Sequence, residues 1–72
     1  MSVTVLVVDD EAAVRLLLAR LLQRQAYTVT EAENGDRAWQ LLQTASFDLV
    51  LLDILMPGLS GTELLARMKA NP

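Results

Sequence analysis

Val3-Thr4-Val5-Leu6-Val7-Val8 runs directly into Asp9-Asp10-Glu11, and the reading of this stretch decides the fold. A short β-branched run that is apolar on nearly every residue, rather than on alternate ones, describes a strand covered on both faces. Val3 to Val8 is therefore β1. From Glu11 the period changes. Val14, Leu17, Leu18 and Leu21 fall at helical spacing with Arg15, Gln23 and Arg24 on other positions, and Asp10 is placed to cap the helix. This is α1, ending near Gln25.

Beyond α1 the alternation repeats. Tyr27-Thr28-Val29-Thr30-Glu31 reads as a shorter, more exposed strand, β2. Asn34-Gly35-Asp36 marks a turn and the start of α2, whose inward stripe is Ala38, Leu41, Leu42 and Ala45. Phe47 to Leu52 is a second strongly apolar run, β3, closed by Asp53. After the loop Leu55-Met56-Pro57-Gly58-Leu59-Ser60-Gly61, the S-x-x-E spacing of Ser60 and Glu63 forms a capping box for α3. That helix carries Leu64, Leu65 and Met68 and stops at Asn71-Pro72. An order βαβαβα with short links means parallel strands joined by right-handed crossovers, an α/β layer architecture. No internal repeat or linker divides the chain, which is read as one domain over residues 1–72.

The chain has 72 residues, 53% of them hydrophobic and 21% charged, with a formal net charge of −3. At 7.9 kDa it buries only about 60% of its unfolded surface, so a lone copy is expected to be marginally stable. It has no cysteine and no histidine. Disulfides, thiolate or histidine metal sites and histidine-based catalytic triads are thereby excluded. Six scattered basic residues and a pI near 4.6 argue against contact with nucleic acid. The N-terminus lacks the basic segment of a signal peptide and is too short to span a bilayer, so a cytoplasmic location without membrane contact is expected. A mean hydropathy of +0.34 implies strands covered on both faces.

Two buried strands both end in acids. In a parallel α/β sheet ligands bind outside the carboxyl ends of the strands, where Asp9, Asp10 and Asp53 fall if β1 and β3 are neighbours. Three converging carboxylates call for a cation, and an all-oxygen site suits Mg²⁺. A carboxylate beside that metal could act as a nucleophile toward a phosphoryl group. The plainer reading, that Asp9 and Asp10 cap α1 and Asp53 ends a strand, stays open on these residues alone.

Val5-Leu6-Val7-Val8-Asp9-Asp10-Glu11, then Asp48-Leu49-Val50-Leu51-Leu52-Asp53 followed by Met56-Pro57 and Gly61, resembles the receiver domain of bacterial two-component response regulators. Glu33-Asn34-Gly35, Ala38 and Leu41 fit as well, and the match runs over the whole chain. The resemblance implies a flavodoxin-like, doubly wound fold, here its βαβαβα half with sheet order 2-1-3. It also implies a signalling domain rather than an enzyme. Asp53 stands at the family's phosphoacceptor position, receiving a phosphoryl group from a sensor histidine kinase or phosphotransfer protein. Asp9 and Asp10 stand at its Mg²⁺ ligands, completed by Asp53 and the backbone carbonyl of Leu55. Pro57 and Gly61 shape the loop beside the site, and Trp39 stands at a packing position.

A full receiver in this family has five strands, and the sequence resembles one cut after the third helix. The family's phosphoryl-binding hydroxyl and lysine follow the fourth and fifth strands; Thr62 and Lys69, on α3, do not stand at those positions. Phosphorylation of Asp53 is accordingly expected to be slow, with little switching. The alternative is a receiver-derived structural or interaction fragment without switching ability. A haloacid-dehalogenase-like phosphohydrolase would need a second acid two residues after Asp53, where Leu55 stands, and Val8-Asp9-Asp10-Glu11 lacks the glycines of a dinucleotide-binding turn. Order 2-1-3 also places β3 at a sheet edge, with no Pro or Lys to protect it, so a homodimer through that strand is expected.

Overall fold

A computed structural model describes residues 3–53 and 61–70. In chain order the elements are β1 (Thr4–Val8), α1 (Ala12–Arg24), β2 (Thr28–Ala32), α2 (Gly35–Thr44), β3 (Leu49–Leu52) and α3 (Gly61–Ala70). The strands form one parallel sheet in the order β2-β1-β3. This is the expected half of a doubly wound fold, with β1 central: Val8 is in register with Ala32 on one side and Leu52 on the other. The chain leaves β1 in one direction to reach β2 and returns across β1 to reach β3. Right-handed crossovers then put α1 and α2 on opposite faces of the sheet.

Those faces are filled unequally. Leu6 and Val8 of β1 join Ala32, Ala38 and Leu64 in a fully buried cluster, with Trp39, Leu41, Leu42, Phe47, Val50, Leu52 and Met68 packed against it. Alternation along the strand sends Val5 and Val7, also fully buried, to the other side. There α1 lies over β1 and β2 and buries Ala19, while Leu49 of β3 is 45% exposed. The sheet is thus covered on both faces at β1 but open on the α1 side of β3.

The helical stripe expected of α1 is corrected by this packing. Val14, Leu17 and Leu21 are exposed, Leu17 by 58%, and of the expected stripe only Leu18 is half-buried. The sheet-facing positions are Arg15, Leu18, Ala19 and Leu22. Small Ala19 lets the helix come close to the sheet, and that rotation carries the larger side chains outward. In α3, Leu64 is buried and Met68 half-buried, while Leu65 is exposed.

Local chemistry explains the element ends. Glu11 rather than Asp10 is the N-cap of α1, and its side chain makes no capping bond; Asp9 Oδ1 instead accepts the Glu11 N–H at 2.9 Å. Asp10 as a cap is therefore corrected: the preceding acid turns back on its own chain and takes that donor. The C-terminus of α1 closes with Ala26 N–H on the Gln23 carbonyl and Tyr27 N–H on the Leu22 carbonyl. This Schellman arrangement puts Ala26 at φ 67°, a position glycine usually fills. β2 is one residue later than expected and no shorter than β1. It is nevertheless the more exposed of the two.

At α2, Asn34 caps as the turn motif implies, its side-chain oxygen accepting the Arg37 N–H at 2.7 Å. Ala45, expected on the inward stripe, is the exposed C-cap. β3 begins at Leu49, not Phe47, because Asp48 is engaged elsewhere: its Oδ2 accepts from Thr4 N–H at 2.9 Å and Thr4 Oγ1 at 3.0 Å. Trp39 is half-buried as expected, with the Arg67 guanidinium 5.7 Å from its ring centroid. The Ser60 half of the capping box lies outside the described residues.

Candidate metal and phosphoacceptor site

The parallel register determines where the acids meet. Because Val8 pairs with Leu52, the next residues, Asp9 and Asp53, leave adjacent strand ends side by side. Asp53 N–H donates to the Val8 carbonyl at 3.0 Å, and Asp9 N–H donates to the Ala32 carbonyl at 3.1 Å. Asp53 is therefore fastened by its backbone to β1, and Asp9 to β2. One carboxylate oxygen from each of Asp9, Asp10 and Asp53 lies within 4.8 Å of the others. Asp9 is 9% exposed, Asp53 half-buried and Asp10 exposed, so the cluster grades from sheet to solvent. Sequence reasoning placed all three here, and the structure brings them together. Leu55, Pro57 and the loop between them lie outside the described residues; Gly61 opens α3, and Thr62 and Lys69 both lie on that helix.

Beside the acids a cleft of about 290 Å³ is lined by Val8, Leu18, Leu51 and Leu52 together with Asp9 and Asp53. Apolar walls lower the local dielectric and strengthen any charge interaction at the rim. The donor set is purely carboxylate oxygen, the hard chemistry that Mg²⁺ selects. Opposite ligands of one Mg²⁺ stand about 4.2 Å apart, a little less than the 4.8 Å within which these oxygens lie, so a small inward movement of the side chains would let them hold one ion.

One participant was not singled out from sequence. Arg15 Nη1 donates to the Asp9 carbonyl at 2.8 Å, and its Nε pairs with Glu31 Oε1 at 3.2 Å. Its place one turn beyond Asp10 was visible in the sequence; the β2 partner, sixteen residues away, was not.

A parallel sheet with acids gathered at its carboxyl end defines a receiver-like α/β domain, and comparison with known proteins agrees. Residues 5–72 match the response regulator receiver domain. The chain belongs to that family. It is 48% identical over 71 residues to the transcriptional regulatory protein ResD of Bacillus subtilis, covering 94% of this chain and 30% of ResD. Sporulation initiation phosphotransferase F of the same organism is 39% identical, with 96% of this chain and 56% of that protein covered.

Among solved structures, the response regulator TrrA of Thermotoga maritima in complex with Mg²⁺-BeF superposes with a TM-score of 0.91 at 43% identity, over 97% of this chain and 60% of that one. TrrA in complex with the histidine kinase ThkA gives 0.91 at 42% identity, over 100% of this chain and 61% of that one. The chain thus spans about three-tenths of a regulator such as ResD and three-fifths of these solved receiver chains. No helix among the described residues is long and apolar enough to cross a membrane.

Proposed function

We propose that the chain is a phosphoacceptor: Asp53 takes a phosphoryl group from a sensor histidine kinase or phosphotransfer protein, with Mg²⁺ held by Asp9, Asp10 and Asp53. The carrying observation is the convergence of these three carboxylates at the strand ends of a receiver-family sheet. A TrrA complex with Mg²⁺-BeF and another with a histidine kinase support the reading by likeness. The Leu55 carbonyl, outside the described residues, is proposed as a further ligand on the resemblance to receiver domains alone.

An Asp53 carboxylate oxygen attacks the phosphorus of phosphohistidine, forming an O–P bond as the P–N bond breaks and the electron pair leaves with the imidazole. The backbone bond to Val8 holds Asp53 at the strand end during this attack. Bound Mg²⁺ would offset the negative charge that gathers on the phosphoryl oxygens. Asp9, the most buried of the three acids, supplies a fixed ligand, and exposed Asp10 an adjustable one. The domain works as a substrate of its kinase, in the cytoplasm, rather than as an enzyme acting on other molecules.

The test uses Mg²⁺ with acetyl phosphate or beryllofluoride, read by intact mass and amide chemical shifts. The expected result is one phosphoryl group per chain, or saturable shifts around Asp53, both lost in Asp53→Asn. A wild-type chain that takes up neither overturns this reading. It would instead favour the interaction fragment, for which the exposed Leu17, Leu21 and Leu49 speak. A second copy paired through the outer edge of β3 is the partner proposed for that surface, since β3 is bonded only to β1 among the described residues.

A further inference from the structure

Asp9 is gripped from three directions. Its N–H is bonded by β2 through the Ala32 carbonyl, its Oδ1 by the Glu11 N–H, and its carbonyl by Arg15 Nη1 at 2.8 Å. The first two follow from the strand end and the helix start, but the third spends a charged side chain on a main-chain oxygen. The same guanidinium is also tied on its other side, because Nε pairs with Glu31 of β2. The Arg15 side chain is 18% exposed and lies along the sheet-facing side of α1. Its planar fork serves both acceptors at once, which a lysine ammonium on a flexible stem does less well.

We propose that Arg15 is a positioning residue for the cation site: by clamping the Asp9 carbonyl to α1 and β2, it keeps the Asp9 carboxylate turned toward Asp10 and Asp53. This rests on the metal reading above. Two effects of Arg15 on a bound cation oppose each other. As a positive charge near the acids it weakens cation binding; as a clamp on Asp9 it strengthens it. Glu31 decides between them, since the ion pair offsets the guanidinium charge on the side of β2 while leaving the carbonyl bond in place. Positioning therefore dominates, and removing Arg15 loosens the metal rather than tightening it.

The experiment is calorimetric titration of the full chain and its variants with Mg²⁺, together with amide exchange at Glu11. Arg15→Met, which keeps the apolar stem, is expected to weaken Mg²⁺ binding by about tenfold, the usual size of an effect on groups that orient metal ligands. Arg15→Lys restores part of the loss, and Glu31→Gln, which retains an acceptor, changes affinity less than Arg15→Met. In the metal-free chain, the Glu11 amide of Arg15→Met exchanges faster while the amides of β1 keep their protection, which separates a loosened turn from general unfolding. Equal or tighter Mg²⁺ binding by Arg15→Met, with Asp53→Asn losing it, overturns the positioning role and leaves the metal reading standing. A wild-type chain that binds no Mg²⁺ overturns both.

Discussion

Aspartates lie at both ends of the sheet, and their surroundings are opposite. At the N-terminal end Asp48 is ringed by donors: one carboxylate oxygen accepts both the N–H and the hydroxyl of Thr4, and its own N–H returns to the Thr4 carbonyl at 2.9 Å. At the C-terminal end Asp9, Asp10 and Asp53 bring carboxylate oxygens within 4.8 Å of one another, with the Glu11 N–H donating to Asp9 Oδ1. A carboxylate among donors fastens two strands together. Carboxylates among carboxylates repel, and a bound cation offsets that repulsion. The same residue type thus fastens strands at one end and gathers into a cluster that could hold a cation at the other, and the difference lies in the neighbours supplied by β1.

The largest effect should erase both ends together. Leu64 is fully buried in the cluster that includes Leu6 and Val8, so Leu64→Ala should cost about 2–5 kcal/mol, a large fraction of the stability of so small a domain. Denaturant unfolding would measure it. Leu17→Ala on the exposed face of α1 should change stability by less than about 0.5 kcal/mol. If it costs as much as Leu64→Ala, something covers α1 in solution.

Asp53→Asn should separate the ends. Phosphoryl uptake is expected to vanish while the unfolding midpoint of the metal-free chain changes little, because the substitution leaves the backbone bond of residue 53 to the Val8 carbonyl in place. Asp48→Asn should do the reverse, keeping uptake and lowering the midpoint. Asp10→Asn lies between these: affinity for Mg²⁺ or Mn²⁺ should fall by about tenfold or more with the fold intact, as titration monitored by amide shifts would show. A variant at the C-terminal end that unfolds the chain as readily as Asp48→Asn would dissolve the contrast.

How legible this was depends on the range of each interaction. The apolar runs ending at Asp9 and Asp53 marked the strands, whereas their order came from the resemblance to receiver domains, and only with β1 and β3 as neighbours does parallel pairing carry the three acids to one place. The rotation of α1 did not show, since Val14, Leu17 and Leu21 match a helical stripe as well as Leu18, Ala19 and Leu22 do. Ala19 decides it by close approach, a tertiary effect. Ala26 likewise gave no sign of its positive φ, because local sequence would call for glycine there. The contacts of Arg15 and Asp48 did not show for a shared reason: their partners, Glu31 and Thr4, are sixteen and forty-four residues away.

The edge of β3 connects the two ends and gives a smaller effect. Leu49 is 45% exposed beside an outer edge that carries no charge between Leu49 and Leu52. β2, the other edge, carries Glu31, held by Arg15. Sedimentation at rising concentration is expected to show association of the wild-type chain and its reduction in Leu49→Lys, since charge on an edge discourages strand addition. Association unaffected by Leu49→Lys would move the contact to the exposed leucines of α1.

The smallest effect concerns acid. The hydrogen bonds from the Thr4 backbone N–H and hydroxyl hold the Asp48 carboxyl below its ordinary value of 3.8. A carboxyl whose value is lower in the folded chain than in the unfolded one stabilises the fold only when ionised in both. Its contribution is fully present above the unfolded value and is lost as pH falls through the folded one. Because the group is exposed, solvent screens it and the change is modest. Stability of the wild-type chain, followed by circular dichroism, should therefore decline below about pH 4 more steeply than that of Asp48→Asn. Asp48→Asn starts lower at neutral pH and converges with wild type in acid, because a protonated carboxyl and an amide both lack the charge that strengthens the Thr4 bonds. Parallel declines of the two chains would show that the Thr4 bonds to Asp48 do not set the acid sensitivity of the fold.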